Sequence, residues 1–424
     1  MTIPRAKALR PRNLRVAAAL TIVCLFIAGC GNGGGSGAIK AGPGVDLTKK
    51  TITLGVLTPL SGPVAAPIGI PLTKGIETYF DAVNANGGVD GFQIKLVEKD
   101  SQYNPQLQVE AYNEIHNQVL MLAESLGSPT TSAIKDLATR DQMLVSAATL
   151  DSYLAREKYM VMVGTPYRLQ VENAFDYVVN KLGVQNPKTG IIYQDDAYGQ
   201  DGLTGYKEAV TAYHLNDVGQ ATYEATDTTF TAPVSQMKAA GAQYVFLTAI
   251  PTAAAGIIGT AHALGYDPHW ILQSPAFATG LMAVPGLNQL LEAEAWVVGQ
   301  GALWGDRSQP GMAEMLDNIA KYAPGQQPDG YFQFCYTEAK ITYAILKKAA
   351  DNKDLTRAGL LTAFDSLKQV DLGGLLPPVT YGSASNDRVP SRDSRIYAID
   401  PTQPGDVKDL SGDFVGTAAA ASQF

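Results

Sequence analysis

From Thr51 onward this chain returns, roughly every 20 to 30 residues, to a short run of β-branched and apolar side chains, with an amphipathic stretch between runs. A parallel strand has to be reached by a long crossover, usually a helix, so the rhythm specifies α/β layers built on parallel sheets. The runs are Thr51–Leu57, Phe92–Val97, Val119–Ala123, Met143–Ala147, Tyr159–Val163, Gly190–Tyr193, Tyr244–Thr248, Trp270–Gln273 and Trp296–Gly299. At 424 residues the chain exceeds one ordinary domain, which leaves room for two lobes of this kind.

One repeat is legible from end to end in Thr51 to Gly91. After the first strand, the loop Pro59 to Pro63 holds small residues and the Ser61 hydroxyl where a parallel strand ends, the edge at which open α/β sheets bind ligands. Pro71 suits a first helical turn, Leu72, Ile76, Tyr79, Phe80 and Val83 recur at helical spacing, and Gly87 with Gly88 closes the helix. Asn104 before Pro105 reads as an N-cap, and Ser128 before Pro129 repeats the device. Ser128, Thr130 and Thr131 therefore open a helix, where hydroxyls and free backbone N–H groups can donate to a carboxylate. Ordinary capping by Ser128 is the competing reading, and both roles are compatible.

The first 29 residues hold five basic side chains (Arg5, Lys7, Arg10, Arg12, Arg15) and no acid, followed by the apolar run Val16–Ala28. That is a secretory leader, too short for a membrane span. The net charge is −8, so the chain beyond the leader carries −13, which excludes the concentrated basic surface that nucleic-acid binding needs. Gly31 to Gly44 is Gly/Ser-rich, and residues 30–49 read as a flexible tether. After Asp409 the tail offers little to bury and is expected to fray.

Catalytic constellations are missing. The four histidines, His116, His214, His262 and His269, show no zinc-ligand spacing, and neither a Gly-x-Ser-x-Gly elbow nor a phosphate-binding Gly-Lys-Ser/Thr loop occurs. Cys335 stands alone on an apolar helical face, most simply a buried thiol. A non-enzymatic protein with no metal and no cofactor is expected.

Gly55, the run Pro59 to Gly62, Gly69, Gly75 and Asn84 to Gly91 (NANGGVDG) resemble the amino-terminal signature of type I periplasmic binding proteins, in particular the Leu/Ile/Val-type solute-binding proteins of ABC importers. The resemblance continues through Leu126 to Pro129, Tyr193 to Gly199 and Gln243 to Thr248. Ile27, Ala28, Gly29 and Cys30 resemble a bacterial lipobox, with Cys30 the acylated first residue of an extracytoplasmic lipoprotein anchored to the membrane by lipid. The resemblance implies two doubly wound parallel-sheet lobes joined by three crossovers near Thr165, Gln300 and Leu376. Lobe one would be 50–166 plus 300–375, and lobe two 167–299 plus 376–424. It also implies a monomer that closes about a hinge on a small carboxylate-bearing ligand and delivers it to an ABC permease; a ligand sensor of the same fold is the alternative. Carried over by position, the ligand contacts would be Ser61, Ser128, Thr130, Thr131, Ala148, Thr149, Tyr167, Tyr198 and Phe277, with Arg168 a further cleft candidate.

One departure bears on the ligand. The family's amino-acid binders hold the ligand ammonium with a carboxylate in the loop after the strand matching Trp270–Gln273, and here that loop, Ser274 to Gly280, contains no acid. A buried ammonium without a counter-charge is costly. Either Asp195 or Asp196 substitutes and the ligand is a branched-chain-type amino acid, or the ligand is an aromatic or aliphatic carboxylate or amide without an amino group.

Overall fold

The apolar runs assemble into two sheets. The first contains Thr51–Thr58, Gln93–Asp100, Leu122–Leu126, Val145–Ala148 and Met160–Val161; the second contains Lys188–Gln194, Asn216–Tyr223, Tyr244–Thr248, His269–Gln273 and Ala295–Gly299. All of these strands pair in parallel, and in each sheet the first strand lies between the second and the third. That reversal of strand order creates a switch point at the carboxyl edge of each sheet. Arg395–Ile399 and Val407–Asp409 extend the second sheet as antiparallel strands. The computed structural model describes residues 38–381 and 388–424, and the folded unit runs from Ile39 to Phe424. The expected leader and Cys30, the residue expected to be acylated, lie outside the described residues.

The helix Ile70–Ala85 buries Leu72, Ile76, Tyr79 and Phe80 as its spacing requires, and its closest partner is the long helix Gly330–Asp351. Gly75 makes this contact possible: a Cβ there would lie 2.3 Å from the Phe332 carbonyl oxygen and 2.8 Å from Tyr336 N. Backbone meets backbone, and Tyr79 stacks edge-on against Tyr336 beside it, ring centroids 5.1 Å apart. The contact fixes where the long helix begins, which positions Tyr331 and Phe334.

Several local expectations are corrected. Asn216–Tyr223 is a strand that no apolar run announces, because it is a half-exposed edge and carries polar side chains. The third strand lies at Leu122–Leu126 rather than 119–123, since the buried Glu124 and Ser125 hide its second half. The tether gives way to paired chain before Thr51: Lys40–Ala41 pairs with Asp354–Leu355, and Val45–Asp46 with Thr51 and Ile52. Tail residues beyond Asp409 are tied down, for Thr417–Ala421 is helical, Gly416 N donates to Asn173 Oδ1 (2.7 Å) and Ser422 Oγ donates to Glu172.

Beyond Leu376 the chain still bonds to segments that precede it on the first-lobe side. Val379–Thr380 pairs with Gln369–Val370, Thr380 N donates to Pro390 O, and Arg388 N donates to Ala155 O, all on the first-lobe side. Further on, Asn173 Nδ2 donates to Arg392 O (3.0 Å) and Ser394 Oγ (2.8 Å), which ties the chain to the second lobe.

Glu124, in the first sheet, and Glu338, on the long helix, are both fully buried. Cys335 is buried too, and its thiol donates to Glu338 Oε2 (3.0 Å). Burial pushes the Glu338 carboxyl up to about 8, and burial with the neighbouring Glu338 pushes Glu124 well above the carboxylate range. Such groups are held protonated, so folding takes up protons, and native stability falls as pH rises from the ordinary carboxylate range toward about 8. Glu338→Gln keeps the shape and removes the ionisation. Its thermal midpoint should exceed that of the parent by a few degrees near pH 8, with the two converging near pH 4.5, as scanning calorimetry across that range can check.

Candidate functional site

A cavity of about 230 Å³ lies between the carboxyl edges of the two sheets, just under the ~300 Å³ at which drug-sized sites begin. The first lobe contributes Leu126 to Ser128 and Ala148 to Leu150 from its strand ends; the second contributes Ile250, Ser274 and Phe277 from the corresponding loops. Most of the remaining wall is apolar or aromatic, including Ile68, Leu72, Leu303, Trp304 and Phe334. The lobes touch around it: Tyr331 Oη donates to Pro275 O (2.7 Å), Thr279 Oγ1 to Pro328 O (3.2 Å), and Ser152 N to Asp201 Oδ2 (3.1 Å).

Ser128, Ala148, Thr149, Tyr167, Tyr198 and Phe277 all line this cavity. Ser128 and Thr149 are almost wholly buried and share a hydrogen bond (2.7 Å). Tyr167 and Tyr198 meet edge to face with centroids 4.8 Å apart, and Tyr198 Oη donates to Ala249 O (3.3 Å), so Tyr198 offers the cavity chiefly its ring. Phe277 is half-buried on the loop that lacks an acid.

Four candidates, Ser61, Thr130, Thr131 and Arg168, are not brought to the cavity. Ser61 is exposed, and Asp100 accepts from its N–H, its hydroxyl and the N–H of Leu60. Ile68 and Leu72, just beyond that loop, reach the wall instead. Thr130 turns its hydroxyl back onto the carbonyls of Leu126 and Gly127, and Thr131 donates to Ser125 O (2.9 Å). Both threonines brace the strand-to-helix turn. Ser128 is not the N-cap of its helix, either: Gly127 holds that place at φ 95°, and its missing Cβ makes room for the Tyr103 ring, which would lie 2.4 Å from it. Arg168 turns away to pair with Glu208 and Glu172 beneath Phe424.

The substitute acids are elsewhere as well. Asp196 caps the helix Ala197–Tyr213, accepting from Gly199 N (3.2 Å), and Asp195 accepts from Gln200 Nε2 (3.3 Å). Among the described residues the acid on the cavity wall is Asp329, which caps the long helix by accepting from Tyr331 N (2.8 Å) and Phe332 N (3.0 Å) at Oδ1. Burial pushes Asp329 up to about 6. Tyr103, Trp304, Asp329 and Tyr331 were not identifiable as wall residues from the sequence; the one local signal was the aromatic run Tyr331 to Tyr336 directly after a capping Asp.

Residues 51–405 match the model of a family described as periplasmic binding protein. The chain belongs to this family. Among curated relatives of this periplasmic binding protein, a Leu/Ile/Val-binding protein homolog 3 of Brucella melitensis is 25% identical, over 81% of this chain and 90% of that protein. Among solved structures, a fatty acid ABC transporter substrate-binding protein from Thermomonospora curvata is 29% identical with a TM-score of 0.84, over 91% of this chain and 97% of the other. A branched-chain amino acid ABC transporter protein from Thermus thermophilus with bound valine, at 17% identity and a TM-score of 0.75 over 88% and 98% of the two chains, shares the fold.

The Tyr331 to Pro275 bond joins the two lobes beside the cavity, so it should contribute to the affinity for a ligand held between them. Tyr331→Phe is expected to weaken ligand binding about fivefold in a calorimetric titration, since one neutral hydrogen bond contributes ~1 kcal/mol. The ligand-free thermal midpoint should change little by comparison.

Proposed function

We propose that this periplasmic binding protein is the solute-binding component of an ABC importer, and that it closes its lobes around a monocarboxylic acid with an apolar body and no amino group. The observation that carries the reading is the charge inventory of the wall. No acid stands in the loop Ser274 to Gly280, and Asp329 already serves two backbone N–H groups through Oδ1. The remaining wall suits an alkyl or aryl body, while Ser128, Thr149 and the helix start beside them offer the polar end. The fatty-acid name of the Thermomonospora protein supports this reading. A leucine-like amino acid is the second reading; it is favoured by the names of the Brucella relatives and would need Asp329 Oδ2 to face the ammonium.

Closure is the working step. Ligand contacts on both lobes favour the closed population, and a permease in the membrane would read that state. No helix among the described residues is long and apolar enough to cross a membrane. An extracytoplasmic location with anchoring through acylated Cys30, action as a monomer, and a hinge through Thr165, Gln300 and the 391–394 segment belong to the same proposal. Thr165 N donates to Gln300 Oε1 (3.0 Å), which joins two of these strands.

The test is thermal unfolding of the chain without its leader against straight-chain acids of increasing length, their primary amides, aromatic acids and amino acids. An acid at 100 times its dissociation constant should add about 2.7 kcal/mol and raise the midpoint by a few degrees. A shift confined to amino acids would replace this reading with the second one.

A further inference from the structure

Behind the polar end of the cavity stands a buried carboxyl that the binding reading leaves unused. Thr149 lines the cavity, its Oγ1 lies 3.0 Å from Asp151 Oδ2 at hydrogen-bond distance, and Ser128 Oγ lies 2.7 Å from Thr149 Oγ1. Asp151 is 1% exposed, and its Oδ1 has no hydrogen-bond partner. Across the lobe boundary, Asp201 accepts from the N–H and hydroxyl of Ser152, the residue next to Asp151, and from Arg168 N.

We infer that Asp151 sets the polarity of the Ser128–Thr149 hydrogen-bond chain and thereby decides whether the cavity presents a donor or an acceptor to the ligand's polar end. The inference rests on the carboxylate reading given above. Each hydroxyl has one proton, so the Ser128–Thr149 link can run in two directions, and the Tyr167 phenol beside Thr149 can donate to it in either. An ionised Asp151 only accepts. It takes the Thr149 proton, Thr149 takes the Ser128 proton, and Ser128 faces the cavity with lone pairs, which repel a carboxylate. A protonated Asp151 places its proton on Oδ2, where Thr149 can accept it. Thr149 then donates to Ser128, and Ser128 is free to donate into the cavity.

The surroundings favour the protonated form. Facing Asp151 are Asp201 on the helix Ala197–Tyr213, Asp196 at that helix's cap, Tyr167 at the start of the helix Tyr167–Asp176, Tyr153 on its own element, and the two hydroxyls. The guanidinium of Arg168 is turned to Glu172 and Glu208 instead. Burial, then Asp201, push Asp151 up to about 8. The donor form is therefore the one present at neutral pH, and it is lost as pH rises through that value. Asp151 is a positioning residue, acting on the ligand through Thr149 and Ser128.

The probes are octanoate, which only accepts, and octanamide, which both donates and accepts. For the parent protein, the octanoate dissociation constant should rise about tenfold or more between about pH 6.5 and about pH 9.5, the effect of losing one hydrogen bond to a charged group. Octanamide affinity should hold over the same range. Asp151→Asn donates through Nδ2 at every pH, so octanoate binding should become independent of pH. An Asp151→Asn profile that still falls like the parent's, or a flat parent profile with octanoate bound, overturns the inference alone. Failure of octanoate to bind the parent at about pH 6.5 overturns the carboxylate reading and this inference with it. Should Asp151→Asn not fold, Asp201→Asn supplies the test: removing that anion should move the parent's loss of octanoate affinity to lower pH, and an unmoved midpoint overturns the inference.

Discussion

Two parallel sheets whose carboxyl edges face one gap constrain nearly everything else in this protein. Every parallel strand ends in a loop on that edge, so the short segments after Thr58, Leu126, Ala148, Thr248 and Gln273 are all delivered to the same region. Once the edges are opposed, side chains remote in sequence meet. The Gly75 contact with the long helix adds the remaining wall, because it holds the start of that helix, and with it Tyr331, against the loop at Pro275.

The wall built in this way is poor in charge, and that poverty is informative. Desolvating an ammonium costs several kcal/mol unless a carboxylate meets it, whereas a carboxylate can be satisfied by hydroxyls and backbone N–H groups. The second lobe supplies no acid at the position where amino-acid binders of this family carry one, and Asp195 and Asp196 are occupied with local structure. Behind the cavity, in contrast, Asp151 is buried and the half-buried Asp201 stands near it. A buried carboxyl reached through hydroxyls can tune hydrogen-bond direction without presenting a charge, which fits the acidic ligand proposed above.

Much of the fold was legible in the sequence because parallel strands buried on both faces must be apolar and must recur at crossover spacing. Legibility failed where that reason lapsed: at the polar edge strand Asn216–Tyr223, at Leu122–Leu126 with its internal Glu124, and at the last crossing, where no periodic element marks the passage. The site divides in the same way. Ser128, Thr149 and Tyr198 sit on strand-end loops, whose destination follows from topology. Thr130 and Thr131 share such a turn with Ser128, yet local sequence cannot say which of three hydroxyls faces outward; the carbonyls left free by the turn at Gly127 claimed two of them. Tyr331 and Trp304 reach the cavity through contacts distant in sequence, which no local pattern encodes.

On the proposed reading the ligand's polar end carries no ammonium. The most direct test is calorimetric titration of the leaderless chain with a matched pair, leucine and 4-methylpentanoate, which differ only by the α-amino group. 4-Methylpentanoate is expected to bind more tightly, by tenfold or more, the ~1.4 kcal/mol minimum for burying an ammonium unpaired. Tighter binding of leucine would contradict that reading and would make Asp329 the counter-charge.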